Sequence, residues 1–254
     1  MTKVEERRKA IKELLLTKEY INVEELALLM NVTGATIRKD LRDMESRHEV
    51  YRNHGNVSLR RPRIIDLNIN EKIFINADEK KSIAKAAAAM IGKNDTILMT
   101  SGSTIEAMAR EIRSGSNLNV VTTSIGVALE LARNENIDIM ILGGRLVRNS
   151  LSVRDGYSIQ GLENVSCTKL FFSCDGLDLN TGVITAFVEE ARMTAAMMKV
   201  ATKKILLADS SKFGKFGLGK ICEISQVDTI ITDSGISYTM RQKIEKAGVH
   251  VIIS

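Results

Sequence analysis

The chain of 254 residues is 44% hydrophobic, enough for one large domain or two domains with separate cores, which excludes the disordered and fibrous classes. Its 36 basic and 31 acidic residues leave a net charge of +5, a mild bias toward an anionic partner that many enzymes share, so charge alone assigns no function. Three cysteines without CxxC spacing and three scattered histidines predict packing thiols and no metal site, and with neither a membrane-length apolar run nor a signal sequence after Met1 the expectation is a soluble, cytoplasmic protein.

Ile11, Leu14 and Leu15 mark one face of a first helix and Arg7, Arg8, Lys9, Lys12 and Glu13 the other, an amphipathic pattern that must pack against something. Asn22 with Glu25 three residues on is an N-cap signature, and Val23, Leu26, Ala27 and Met30 form one apolar stripe behind it. Asn31 and Val32 lead directly to Thr33, a second N-cap, which opens a helix predicted over 33–46. There Ile37, Leu41 and Met44 recur at i, i+4 and i+7 and face inward, while Arg38, Lys39 and Arg42 come round on the opposite side. Two short helices across so short a turn fit a plain helical hairpin or a helix-turn-helix. The extended runs 50–53 and 57–60 around His54-Gly55-Asn56 favour the second, because they supply the wing of a winged helix and carry Arg52, His54 and Arg60.

Val-Glu-Glu-Leu-Ala at 23–27, Val-Thr-x-x-Thr-Ile-Arg-Lys-Asp-Leu at 32–41, Met-Glu at 44–45 and Tyr-Arg-x-His-Gly at 51–55 resemble the DNA-binding domain of the DeoR family of bacterial sugar-operon regulators, over nearly all of residues 5–59. The resemblance implies that the third helix lies in the major groove, with Thr33, Ala35, Thr36, Arg38, Lys39 and Arg42 near bases or phosphates and Arg52 and His54 on the wing. The chain departs from the family at His48 and Asn56, where glycine is usual; asparagine tolerates the positive φ that a wing turn needs.

Pro62, the sole proline, stands in Arg60-Arg61-Pro62-Arg63, and the alternation over 64–70 predicts an extended connector. The expected organisation is a DNA-binding domain over 1–59, a linker over 60–74 and a second domain over 75–254. An alanine-rich helix runs to residue 91, and strands are predicted at 96–99, 120–122, 137–142, 169–173, 204–207, 229–232 and 249–253. Helical patterns at 104–112, 125–133, 189–201 and 238–246 fall between most of them, as buried parallel strands with crossover helices require. The fold class is α/β: a winged helix-turn-helix followed by a Rossmann-like domain.

In such sheets ligands sit where strand ends lead into helices. Thr100-Ser101-Gly102-Ser103-Thr104 follows a strand and opens a helix, a geometry that suits phosphate, although a capped tight turn would look the same. It matches neither GxxxxGK[ST] nor GxGxxG, so no nucleotide cofactor is indicated. Later strand ends add Thr122-Thr123-Ser124, Gly143-Gly144-Arg145, Cys174 through Asp178, and Asp209 through Gly214. Hydroxyls, glycines, cations and carboxylates at successive strand ends suit a polyhydroxylated, phosphorylated ligand.

These loops, with Lys80 before Ile83-Ala84 and the pair Glu190-Ala191, resemble the DeoR sensor domain over most of residues 71–236. The resemblance implies a fold akin to ribose-5-phosphate isomerase, used as a receptor for a phosphorylated sugar or polyol. The effector residues it implies are Lys80, Ser101, Gly102, Ser103, Thr104, Thr123, Ser124, Gly143, Gly144, Arg145, Asp175, Gly176, Asp178, Glu190 and Lys212, with phosphate on 101–104, hydroxyls on Asp175 and Asp178, and Lys212 neutralising charge. Thr100-Ser101 stands where the family often has Asp-Ala, and Thr123 where it has Asn.

Two other function classes compete. Asp175, Asp178 and Glu190 could shuttle a proton in an aldose–ketose isomerisation, but 182–187 lacks the lysine and glycine-rich loop that follow in related isomerases. An effector-independent DNA-binding protein would not need so many anion-suited loops. The expected function is therefore a non-enzymatic repressor of a carbohydrate-utilisation operon, without cofactor. It would act as a homo-oligomer, dimer or tetramer, that pairs two recognition helices on double-stranded operator DNA.

Overall fold

The computed structural model describes residues 2–18, 20–47, 49–53, 55–59, 64, 67–112 and 118–254. His48, His54, Arg60 and the proline-marked stretch 60–63 lie outside the described residues. The chain forms two compact units, Met1–Arg63 with Gly214–Phe216, and Ile64–Phe213 with Gly217–Ser254.

In the amino-terminal unit, α1 (Lys3–Thr17) opens on a capping box between Thr2 and Glu5. Then come β1 (Ile21–Asn22), α2 (Val23–Leu29) capped by Asn22, and α3 (Gly34–Ser46) capped by Thr33. The strands β2 (Tyr51–Asn53) and β3 (Asn56–Ser58) form the wing. Ile11, Leu15, Val23, Leu26, Ile37, Leu41, Met44, Val50 and Val57 meet in one buried cluster, so each expected helix stripe faces the same core.

The structure adds two things here. The short β1 pairs with β3 through Ile21↔Val57 and Asn22↔Asn56, making the wing a three-stranded sheet ordered β1-β3-β2. The wing turn takes its positive φ at Gly55 (+79°) while Asn56 begins β3, so asparagine at 56 meets no backbone demand for glycine.

In the second unit, α4 (Ile69–Lys72) starts with a capping box between Asn68 and Glu71, and Ile69 is buried. Part of the expected extended connector is thus a helical turn, because an N-cap and its acidic partner outweigh the apolar alternation. There follow α5 (Ala77–Ala88), β4 (Thr96–Met99), α6 (Ser103–Glu111), β5 (Leu118–Thr122), α7 (Ile125–Leu131) and β6 (Ile137–Ile141). The hairpin β7 (Leu146–Val147) and β8 (Ser152–Val153), α8 (Gly156–Gln160), β9 (Cys167–Ser173), β10 (Gly176–Asp178) and β11 (Gly182–Thr185) come next. The chain closes with α9 (Val188–Lys199), β12 (Ala201–Leu207), β13 (Gly219–Cys222), β14 (Thr229–Thr232), α10 (Tyr238–Lys246) and β15 (His250–Ile253).

Seven strands form a parallel sheet in the order β15-β14-β12-β9-β4-β5-β6. Successive side chains go to opposite faces. Phe171, Ile97, Ile205 and Ile231 join one core with α5, α6 and α7, while Phe172, Leu98, Leu206 and Ile230 join another with α9 and α10. From β4 the chain builds outward through β5 to β6; from β9 it builds the other way through β12 and β14 to β15. The winding direction therefore reverses between β4 and β9, which lie side by side, and their carboxyl ends frame the crevice where such sheets take ligands. An antiparallel sheet, β10-β11-β13, lies apart from the main one in hydrogen bonding.

Candidate functional site

In the amino-terminal unit, α3 is fixed from within. Asp40 is 3% exposed, and its carboxylate accepts from Arg7 Nε at 2.6 Å and pairs with Arg8 at 3.4 Å. Arg8 also reaches Asp43 at 2.6 Å. Arg7 and Arg8, which periodicity places on a solvated face of α1, thus bind the recognition helix to α1, because a buried carboxylate requires a cationic partner.

The outward side of α3 carries Ala35, Arg38, Lys39 and Arg42, all exposed. Thr33 and Thr36 serve the helix start, with Thr36 N donating to Thr33 Oγ1 at 3.3 Å and the two hydroxyls 3.0 Å apart. Arg38 pairs with Glu24 of α2 at 3.2 Å with both side chains mostly in solvent, a weak contact. Arg42 Nε donates to Arg38 O at 3.3 Å, and Lys39 has no side-chain partner among the described residues. Arg52 of the wing pairs with Glu45 of α3 at 3.8 Å and is half-buried.

In the second unit, a cavity of about 40 Å³ at the β4/β9 switch point is lined by Ser101, Gly102, Ser103, Thr104, Asp175, Glu190 and Lys212 of the expected set. Gly102 is required there, since its φ is +125° and a Cβ would stand 2.5 Å from Ser173 Oγ. The start of α6 has no side-chain cap, which leaves its backbone N–H groups to face a ligand.

Lys72, Asn149, Ser150, Arg154 and Ser173 line the same cavity without having been expected. Arg154 is nearly buried, stacks over the Phe187 ring at 5.3 Å, and donates to Glu190 at 3.3 Å and to Ser150 Oγ at 3.0 Å. Asp175 accepts from Lys72 Nζ at 3.0 Å, Thr185 Oγ1 at 2.9 Å and Ala186 N at 3.1 Å. Burial works against its charge, but Lys72 and Lys212 outweigh that and hold its carboxyl below the usual range. Glu190 moves upward, pushed by burial and by the Asp175 charge against the pull of Arg154. Asn149 and Arg154 belong to the β7–β8 hairpin and the residue after it, which no motif in the sequence singled out.

Other expected residues serve elsewhere. Lys80 is buried and its Nζ donates to Ile75 O at 2.6 Å and to Lys72 O. Burial and the nearby Lys212 lower its pKa to about 8. It supports the α4 segment rather than lining the cavity. Asp178 accepts from Asn180 N, Thr181 N and Thr181 Oγ1, holding the β10–β11 turn. Gly176 lies within β10 opposite Ile184. Thr123 O accepts from Val153 N at 2.8 Å and Ser124 caps α7, which fastens the β7–β8 hairpin to the sheet. Gly143 O accepts from Ser158 Oγ at 2.7 Å, Gly144 (φ +145°) leaves room for Asp155, and Arg145 N donates to Asp155 at 2.8 Å. These three build the α8 cap and lie outside the cavity lining. The three cysteines are buried, free thiols, and burial raises Cys167 to about 11 and Cys222 to about 12.

The family model of the DeoR-like helix-turn-helix domain matches residues 7–62, and that of the DeoR C terminal sensor domain matches residues 75–234. The chain belongs to the DeoR family. It is 33% identical over 248 residues to an uncharacterized HTH-type transcriptional regulator, YulB, of Bacillus subtilis, covering 98% of this chain and 96% of that one. It is 32% identical over 255 residues to a putative aga operon transcriptional repressor of Escherichia coli O157:H7, covering 100% and 95%. Among solved structures, ribose 5-phosphate isomerase A of Methanocaldococcus jannaschii is 18% identical with a TM-score of 0.41, over 54% of this chain and 55% of that one. As a DeoR-family member the protein is a transcription regulator, with α3 in its DNA-binding domain and the β4/β9 cavity in its sensor domain. Among the described residues no helix is long and apolar enough to cross a membrane.

Proposed function

We propose that the protein represses a carbohydrate-utilisation operon in the cytoplasm and is controlled by a phosphorylated sugar or polyol. The observation that carries this is the make-up of the cavity: Lys72, Arg154 and Lys212 beside the α6 start for an anion, and Asp175 and Glu190 for hydroxyls. The name of the Escherichia coli relative, an operon repressor, supports the sign of regulation. On DNA, Arg38, Lys39 and Arg42 contact bases or phosphates of the major groove, flanked by Thr33, Ala35 and Thr36, with Arg52 and His54 as further contacts to the backbone or minor groove. A homo-oligomer, dimer or tetramer, pairs two copies of α3 on operator repeats. The effector releases DNA by favouring an oligomer geometry in which the two helices no longer match their half-sites.

The site binds and does not catalyse. Residues 182–187, after the Asp175–Asp178 loop, carry no lysine and no glycine-rich run to stabilise a developing enediolate. The test is thermal unfolding and DNA-binding anisotropy of the full chain against a panel of triose, pentose, hexose and polyol phosphates. A specific effector at 100 times its Kd is expected to add about 2.7 kcal/mol and to change affinity for DNA upstream of the controlled genes. Stabilisation by none of them, or turnover of ribose 5-phosphate well above background, would reject the reading.

A further inference from the structure

The cavity of about 40 Å³ is far below the roughly 300–1,000 Å³ of pockets that hold small ligands, so a sugar phosphate enters only if a wall moves. The other walls are the ends of β4 and β9, the start of α6, the β7–β8 hairpin, Glu190 of α9 and Lys212. Residues 69–75 are different: one helical turn followed by Phe74, 82% exposed, and Ile75, 45% exposed. This segment is pinned at separate points. Ile69 is buried and its N donates to Asn149 O at 2.7 Å, Lys72 Nζ pairs with Asp175 at 3.0 Å, and Lys80 Nζ holds the carbonyls of Lys72 and Ile75 from below.

Asp175 divides its contacts. Oδ2 is fixed by the Thr185 hydroxyl and the Ala186 N–H, both supplied by the end of β11 and the residue after it, while Oδ1 takes Lys72. The Lys72 contact is therefore the one that can change hands while Asp175 stays in place.

We propose that Lys72 is an effector-contacting residue and that residues 69–75 form a strap: the effector's phosphate takes Lys72 from Asp175, an effector hydroxyl takes its place on Oδ1, and the strap shifts. This rests on reading the cavity as the effector site. It also narrows the ligand. Removing Lys72 from Asp175 leaves a buried carboxylate that needs a donor, so the effector must bring hydroxyls together with its phosphate, and inorganic phosphate alone does not suffice. In chain order the strap follows the connection from the DNA-binding unit.

The test uses the full chain, with calorimetric titration and hydrogen exchange of peptides covering 69–75 against inorganic phosphate and the panel of sugar and polyol phosphates. A sugar or polyol phosphate is expected to bind at least tenfold more tightly than inorganic phosphate and to change exchange at 69–75. Lys72→Gln is expected to bind it at least tenfold more weakly than wild type, and Asp175→Asn to exchange faster at 69–75 without ligand. If wild type binds a sugar phosphate but Lys72→Gln matches its affinity within twofold, or if Asp175→Asn leaves exchange at 69–75 unchanged, the strap is refuted while the sensor reading stands. If wild type binds no member of the panel, both are refuted.

Discussion

Removing the Asp40 carboxylate should unfasten the recognition helix from α1. Asp40 is 3% exposed and meets Arg7 at 2.5 Å and Arg8 at 3.4 Å. Stripping one partner from a buried ion pair costs about 3–5 kcal/mol. Here the two arginine side chains keep 16% and 17% exposure and Arg8 retains Asp43, so water and Asp43 recover part of it and Asp40→Ala is expected to cost about 2 kcal/mol. In a small domain each 1 kcal/mol moves Tm by roughly 4–8 °C, so the transition of the amino-terminal unit should fall by about 10 °C in calorimetry of the full chain. A double-mutant cycle with Arg7→Ala isolates the pair and should give a coupling of about 1–2 kcal/mol. Strict additivity, or a loss below about 0.5 kcal/mol, would show that the Arg7–Asp40 pair does not fasten α3 to α1.

Lys39→Ala should weaken operator binding and lower the slope of log affinity against log salt by about 1, leaving stabilisation by sugar phosphates unchanged; Lys212→Ala should do the reverse, as measured by anisotropy and thermal shift. Gly102→Ala forces a Cβ toward Ser173 Oγ at a φ of +125° and should destabilise the sensor unit by about 1–3 kcal/mol and abolish effector binding; a variant that melts and binds like wild type would contradict the geometry. Glu106 is 4% exposed, its Oε1 has no partner, and burial, opposed by Arg110 and aided by Glu130, raises its pKa. Its neutral form therefore favours the fold fully below the unfolded pKa of about 4.5, and that contribution is lost as pH rises through the folded value. Glu106→Gln should flatten this loss above about pH 4.5 in urea titrations, and an unchanged slope would count against it.

Local signals set much of the molecule. Thr33 and Asn22 cap the helices they were expected to cap because an oxygen acceptor at N-cap meets free N–H groups wherever the helix lies. The main-sheet strands fall where short branched runs put them, within a few residues at their ends. The misses were very short strands and contacts between distant residues. β1 is too short to show an alternation and exists because β3 offers it a partner. The hairpins β7–β8 and β10–β11 were not predicted because strands of two to four residues are too short to show an alternation, and β13 because its partner β11 is remote in sequence.

The site divides in the same way. Residues 101–104 were legible because a loop between a strand and a helix has its own composition, and Asp175 because it stands in a polar, glycine-bearing run at a strand end. Lys72 and Arg154 were not, since a lone cation in a polar stretch looks the same whether it is solvated or aimed into a cavity. By itself the sequence determined the helix faces, the caps, the strand–helix alternation and the family. The tertiary structure decided that β4 and β9 lie side by side, that Asp40 is buried beneath Arg7 and Arg8, and that Lys72 rests on Asp175. The reason is range: periodicity and capping act over a few residues, whereas strand order and ion pairing are settled only when remote segments are brought together and water is excluded between them.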